Sequence, residues 1–421
     1  MKQFVADNLA PLLRGKKILL GVTGSIAAFK AHDIIRYLKA CGAEVKVVLS
    51  ESGEKFVTRV TLETLSGNPV LSSLWDSGSQ GTHHIDTARW ADLVLVAPAT
   101  ANTLEKLARG EASDLLTTEI LAFRGPVLVA PAMNPMMYSH PAVAANVARI
   151  RSFGYRLVGP VEGVTSCGEE GLGRMVEPEA IVEAVWGALA AQSARSHGAR
   201  RLVVTLGPTR SALDPVRYLT NRSSGLMGAA IAWAGVECGY DVTAIAGPTE
   251  APLPGAARVV RVTTAAEMSR AALEAWGASA GAAGEGDLFV AAAAVLDWDV
   301  ANPAADKLKK EKGAPSLEFA RNPDILAEAA ARRRKGQFVL GFAAETREPV
   351  EYGLAKLKAK GCDAVFANDV SREGQGFESA DNSGWWITPG GVREVPLASK
   401  AELARAILAL VDGSAGAQGL S

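Results

Sequence analysis

Two groups of residues, more than a hundred positions apart, have the types and spacing of active sites. The first is Pro131-Ala132-Met133-Asn134 with Cys167-Gly168. The second is Asp214-Pro215-Val216-Arg217-Tyr218 running into Asn221-Arg222-Ser223-Ser224-Gly225. An amide beside a thiol can position a substrate and move a proton, and serines before a helix offer hydroxyls and amides to an anion. Each group follows its own short apolar strand in a strand-loop-helix pattern, so the expectation is two reactions on two separate sheets.

The elements that must hold these residues read as α/β. Lys17 to Val22 is an apolar strand, followed by a glycine turn at Gly21 to Ser25 and a helical pattern through Ile26, Ile34, Ile35 and Leu38 that ends at Gly42. Val45 to Leu49, Leu93 to Ala97 and Val127 to Ala130 continue the pattern. Such uninterrupted apolar runs between helices predict a parallel sheet covered on both faces. A second sheet is expected from Arg201 to Thr205, Val242 to Ala246, Leu288 to Ala293, Phe338 to Phe342 and Ala364 to Ala367. A hairpin around Pro389-Gly390-Gly391 predicts an antiparallel edge. The fold class is therefore a flavodoxin-like, Rossmann-type parallel sheet at residues 1–190, then a Rossmann-like α/β domain with an edge hairpin at 191–421. Weakly periodic Ala, Ser, Gln and Gly at about 187–200 predict the linker.

Composition narrows the function classes. The 421 residues exceed one ordinary core, and 48% apolar with 21% charged residues is a globular balance. With 44 basic and 45 acidic side chains, no overall field favours nucleic acid or an anionic membrane. The sequence shows neither a cleavable leader nor a membrane-length apolar run, so a cytoplasmic address is expected. Cys41, Cys167, Cys238 and Cys362 lack CxxC spacing and predict neither a disulfide frame nor a zinc site.

In the first half, Gly24 and Ser25 form a tight turn into a helix that could receive a phosphate monoester, although plain turn chemistry explains a glycine pair equally well. Ser50 stands at the end of the second strand, where an NAD site would want an acidic residue, so FMN fits better than a dinucleotide. The loops Pro98 to Thr103, containing Thr100, and Pro131 to Asn134 both fall at carboxyl ends of strands, where open α/β sheets bind ligands. Taken singly, His84 beside His83 reads as a surface pair, Asn134 as a turn residue and Cys167 as a small buried hydrophobe.

Together, Gly24-Ser25-Ile26-Ala27, His84-Ile85-Asp86, Pro98 to Thr103, Pro131 to Asn134 and Cys167-Gly168-Glu169 with Gly173-Arg174-Met175 resemble the homo-oligomeric flavin-containing cysteine decarboxylases. Within them the match is to the phosphopantothenoylcysteine decarboxylase half of the bifunctional coenzyme A biosynthesis family. The resemblance implies FMN held by Gly24, Ser25, Ser50 and Thr100. It also implies His84 as base or orienting group, Asn134 on the substrate carboxylate, and Cys167 on a mobile flap as proton donor to an enethiolate.

In the second half, capping alone would explain Ser223 and Ser224, and Lys307 to Lys312 alone reads as a solvated charged loop. The ordered set of DPVRY, the Asn221 to Gly228 stretch, Ala293 to Val295 with Asp297, the lysine run, Asn322 to Ile325, Gly341 to Thr346 and Ala367 to Asp369 resembles the phosphopantothenate–cysteine ligase half of the same family. The resemblance implies Asn221 and Arg217 on an acyl-cytidylate and Lys307 closing over the triphosphate of CTP. Ala293, Asp297, Pro323, Asp324, Ile325, Leu326, Phe342, Lys356 and Lys360 then line the nucleotide site, with Mg²⁺ offsetting phosphate charge. Leu226 stands where the family usually has lysine, and Leu296 and Trp298 flank Asp297 in place of Ala and Tyr.

The expected substrates are thus phosphopantothenate, cysteine and CTP. The resemblance further implies a homo-oligomer of trimeric flavin domains and dimeric ligase domains, joined in a larger assembly such as a dodecamer. Two other readings are a flavin-dependent peptidyl-cysteine decarboxylase with a degenerate second domain and a non-catalytic flavodoxin-like scaffold. The intact second motif set argues against the former, and the retained His84 and Cys167 against the latter.

Overall fold

Strands apolar along their whole length need cover on both faces, and the chain meets that need twice. The computed structural model describes residues 3–75, 83–194, 200–277, 286–309, 316–371, 379 and 381–418. It divides into two compact units, 1–189 and 190–421.

In the first unit, five parallel strands lie in the order Glu44–Leu49, Lys17–Val22, Leu93–Ala99, Val127–Pro131, Arg156–Leu157. This is the flavodoxin-like 2-1-3-4-5 order, which reverses direction between the first and third strands and opens a crevice there. Ile18, Leu19, Leu20 and Val22 are fully buried, and the Ala31–Ala40 helix lays Ile34, Ile35 and Leu38 into the same core. That helix starts later than the apolar spacing predicts. Ile26–Lys30 is instead a 3-10 turn, whose tighter winding leaves Ile26 exposed.

The second unit holds an eight-stranded sheet. Its order is Arg258–Arg261, Asp241–Ala246, Arg201–Leu206, Leu288–Ala291, Phe338–Glu345, Ala364–Asp369, Asp381–Thr388, Gly391–Ser399. The first six strands are parallel, in Rossmann order, and the last two form the antiparallel edge. Trp386 on that edge stacks on Phe338 at 6.3 Å. The Leu226–Glu237 helix is buried from Gly228 to Val236.

The alanine-rich stretch expected to begin a linker near residue 187 stays helical to the end of Pro178–Ala194, with Leu189 and Ala190 buried. Alanine is the strongest helix former, which outweighs the loss of apolar periodicity. Residues 195–199 lie outside the described residues. Among the described residues, no helix is long and apolar enough to cross a membrane.

An aspartate just before a strand fixes the neighbouring strand in both units. Asp92 accepts from Lys17 N at 2.8 Å, Asp287 from Arg201 N at 2.8 Å, and Asp363 from Val339 N at 2.8 Å. Glu119 is different. It is fully buried on the Leu115–Ala122 helix, and among the described residues neither carboxyl oxygen has a hydrogen-bond partner. Burial pushes its pKa up to about 8, offset only in part by Thr87 and Lys46. Between the unfolded value of about 4.3 and this raised value, the unfolded chain releases a proton that the folded chain keeps, so stability falls as pH rises through that window. The thermal midpoint of Glu119→Gln should therefore gain on the wild type from about pH 5 to about pH 8. A gap between the two proteins that does not change with pH would contradict this.

Candidate active sites

At the carboxyl ends of the first sheet, three loops are tied together. Thr23 Oγ1 donates to Pro98 O at 2.7 Å and accepts from Thr100 N at 3.3 Å. Ser25 caps the 3-10 turn by accepting from Ala27 N at 3.3 Å, and Ser50 accepts from Gly53 N at 3.1 Å. Thr100 caps the Ala101–Arg109 helix through Thr103 N at 3.2 Å. Gly24 comes so close to the next loop that a Cβ there would lie 2.4 Å from Ser52 Cβ. Between these loops lies a cavity of about 610 Å³, lined by Thr23, Gly24, Ser50, Thr100, Asn102 and Lys106. Ser25 itself is not in the lining. Lys106, which sequence reading missed, pairs with Asp114 at 2.8 Å, and that carboxylate raises its pKa, so a cation stands at the cavity wall.

The Pro131 to Asn134 loop holds a hairpin. Asn134 Oδ1 accepts from Met136 N at 2.8 Å, while its Nδ2 donates to Glu169 Oε2 at 2.5 Å. Met133 N donates to Gly173 O at 3.0 Å. The hairpin pairs Val161–Val164 with Glu170–Arg174 and carries Cys167 in its connecting loop. Cys167 is exposed, which removes the buried-hydrophobe reading, whereas burial pushes the Cys41, Cys238 and Cys362 thiols up to about 11. Asn134 is thus joined to the Cys167 loop through Glu169. His84 stands half-buried at the start of the His83–Trp90 helix and makes no polar contact with either among the described residues. Lys30, 8% exposed, secures the hairpin base by donating to Met175 O at 3.1 Å and pairing with Glu177 at 3.1 Å. A lone lysine after Phe29 carries no sequence signal that reveals this.

In the second unit, Ala293, Asp297, Pro323, Asp324, Ile325, Leu326, Phe342, Lys356 and Lys360 line one cavity of about 440 Å³, together with Trp298. Lys356 Nζ donates to Phe342 O at 2.7 Å, and burial followed by the neighbouring Lys360 lowers its pKa. Lys360 is paired with Asp324, which also caps the Ile325–Ala331 helix through Ala327 N at 3.1 Å. An adjoining cavity of about 420 Å³ shares Ala293, Asp297, Phe342 and Lys356, and is lined further by Asn221 and Ser223 to Gly228. Asn221 Nδ2 donates to Val295 O at 3.1 Å. Ser223 and Ser224 do not cap the following helix in the usual way. Gly225 is the capping residue at φ +75°, a backbone conformation that favours glycine, while Ser223 Oγ accepts from Gly225 N at 3.3 Å and Ser224 Oγ from Leu226 N at 3.5 Å.

Arg217 and Lys307 are absent from the lining of both cavities. The Arg217 guanidinium grips Asp214 Oδ2 at 2.9 Å and 2.5 Å and donates to Leu308 O at 2.9 Å. Asp214 also accepts from Leu308 N at 3.1 Å. The bond from Arg217 holds the Asp214 carboxyl well below the usual range, so the clasp on the Lys307-Leu308 segment stays charged. Lys307 itself is exposed, and Lys310, Glu311 and Lys312 of the lysine run lie outside the described residues. Among the described residues, no three His, Cys, Asp or Glu side chains gather as a metal site.

A family model described as Flavoprotein matches residues 9–190, and one described as DNA/pantothenate metabolism flavoprotein C-terminal domain matches 197–414. The chain is 42% identical to the coenzyme A biosynthesis bifunctional protein CoaBC of Vibrio vulnificus strain YJ016, over 94% of this chain and 97% of that protein. The chain belongs to the coenzyme A biosynthesis bifunctional protein family. A Bacillus subtilis strain 168 relative of the same description is 40% identical over 94% of this chain and 97% of its own length. The solved C-terminal domain of a coenzyme A biosynthesis bifunctional protein CoaBC is 32% identical, covering 51% of this chain and 94% of that one at a TM-score of 0.42.

The clasp has a direct test within this family member. Asp214→Ala removes the charged acceptor of Leu308 N and the carboxylate that holds Arg217 against Leu308 O, so tryptic cleavage after Lys307 and Lys309 should speed up by about tenfold to a hundredfold, the consequence of losing roughly 1.5–3 kcal/mol. Unchanged cleavage there would show that Asp214 does not hold the segment.

Proposed function

We propose that the chain catalyses two consecutive steps of coenzyme A biosynthesis. The second unit joins 4'-phosphopantothenate to cysteine with CTP, through an acyl-cytidylate. The first unit decarboxylates the resulting phosphopantothenoylcysteine to 4'-phosphopantetheine. The observation that carries this reading is the pairing of two different sites in one chain. One is a hydroxyl-lined cavity with an exposed Cys167 on a hairpin tethered through Asn134; the other is two adjoining cavities that share Lys356.

FMN fits the first cavity, whose volume suits a mononucleotide and whose wall combines Ser50, Thr100 and a charged Lys106. Bound there, it supplies the oxidation that gives CO₂ loss an electron sink. The chain's own residues do the rest. Asn134 orients the substrate carboxylate, exchanging its Glu169 contact for the substrate. His84 acts as base or orienting group. Cys167, free of packing, delivers a proton to the enethiolate.

In the second unit Lys356 and Lys360 would hold the triphosphate of CTP, and Mg²⁺ would offset its phosphate charge. The clasp on Leu308 supports a lid role for Lys307, which reaches the triphosphate when that segment closes. Asn221 holds the acyl group from its own cavity, and Arg217 joins it after leaving Leu308. We further propose a cytoplasmic homo-oligomer with trimeric flavin units and dimeric ligase units.

Two substitutions test the halves separately. Cys167→Ser should keep flavin and release CO₂ yet form reduced product at least about 100-fold more slowly, with an oxidised enethiol accumulating. Wild-type turnover would leave Cys167 without a catalytic role. Lys307→Gln should lose pyrophosphate release while decarboxylation of supplied phosphopantothenoylcysteine continues, and Asn221→Asp should let the cytidylate accumulate. Normal CTP-dependent ligation in both variants would remove these residues from the site.

A further inference from the structure

Lys30 stands where local rules would not place it. It ends the 3-10 turn Ile26–Lys30 and precedes the Ala31–Ala40 helix, yet its side chain caps nothing there. A cation at a helix start faces the positive ends of the peptide dipoles, and burying an ammonium is costly unless it is paired. Lys30 is nevertheless 8% exposed. Its partners come from the far end of the unit, where Met175 O accepts at 3.1 Å and Glu177 pairs at 3.1 Å. Partial burial opposes ionisation of Glu177, but the bonds from Lys30 and Arg174 outweigh it and lower its pKa, so the carboxylate stays charged.

This contact joins two parts of the first site. On one side, the turn is capped by Ser25, directly after Thr23 and Gly24 in the wall of the flavin cavity. On the other, Met175 follows the strand Glu170–Arg174, which carries the Cys167 loop. That loop is closed on itself. Thr165 N and Oγ1 donate to Glu169 O at 2.9 Å and 3.0 Å, and Gly168 N donates to Thr165 O at 2.9 Å, so the loop moves with its strands. Asn134 holds the hairpin near its tip through Glu169, Met133 N holds the strand through Gly173 O, and Lys30 holds the root. In the reaction proposed above, Asn134 exchanges Glu169 for the substrate carboxylate. The thiol then rests on the other two contacts, and Lys30 is the one that starts from the loop bearing Gly24.

We infer that Lys30 is a positioning residue for Cys167: it fixes the hairpin root to the first loop of the flavin cavity, and so sets where the thiol meets the substrate after Asn134 has let go of Glu169. The assignment rests on the decarboxylase reading above. Lys30 acts at one step. Flavin binding and CO₂ loss come before the proton from Cys167 and do not need a fixed hairpin root, whereas formation of the reduced product does.

Lys30→Met keeps the length of the side chain and removes both contacts. In the full-length, flavin-loaded enzyme, CO₂ release should stay within about twofold of the wild type, while reduced product forms about ten- to a hundredfold more slowly and the oxidised enethiol accumulates. A general loss of fold would slow both steps alike. In a Cys167→Ser background the same substitution should slow nothing further, since Lys30 acts through that thiol. Amide exchange of the FMN-bound Lys30→Met protein should be faster across Glu170–Arg174 and unchanged across Lys17–Val22. Glu177→Gln, at a side chain 54% exposed, should give the same split to a smaller extent, and it decides the matter if Lys30→Met does not fold. Equal slowing of both steps, loss of FMN from the variant, or a full further loss on top of Cys167→Ser would each overturn the assignment and leave the decarboxylase reading standing. A wild type that binds FMN but releases no CO₂ from phosphopantothenoylcysteine would overturn that reading and this assignment with it.

Discussion

Both ligand-facing edges depend on loops approaching one another more closely than a side chain allows. Gly24 leaves no space for a Cβ beside Ser52, and Gly225 combines φ +75° with a Cβ position 2.7 Å from Thr249 Oγ1. With these contacts, loops after neighbouring strands converge beside the point where each sheet reverses its strand order. Push the loops apart and the hydroxyls of Ser50 and Thr100, or the amides after Ser224, no longer face one space. The cavities are therefore properties of sheet order and glycine placement before any charged residue acts.

Charge is divided by position. Asp92, Asp287 and Asp363 accept strand amides at the amino ends of strands and belong to the frame. The half-buried cations Lys106 and Lys356 face cavities at the carboxyl ends. A buried lysine with a lowered pKa costs stability, and binding an anion offsets that cost only when the ligand is present. Asp214 and Arg217 fall between these groups, since their mutual grip carries no strand and instead holds the segment next to Lys307.

The strands were legible because runs such as Ile18 to Leu20 and Leu202 to Val204 are apolar on both faces, which few other local structures tolerate. The loops were legible for a different reason: Pro131 to Asn134 and Ser223 to Gly225 combine residue types that a turn alone does not need. What escaped reading depends on distance or on competition. Arg217 is held by Asp214 three residues earlier and by Leu308, and only the former is visible locally. Lys30 meets Met175 and Glu177 through the fold, with no local pattern to announce it. The stretch after Trp186 lost its periodicity without losing its helix, because alanine propensity acts without a partner face.

The central claim is that one chain both forms and decarboxylates the same amide. It is tested most directly by mass spectrometry of products after the purified, flavin-loaded protein is incubated with phosphopantothenate, cysteine, CTP and Mg²⁺. The account predicts transient phosphopantothenoylcysteine followed by phosphopantetheine, the same molecule less CO₂. Accumulation of the amide without CO₂ loss, or no amide at all, would contradict it.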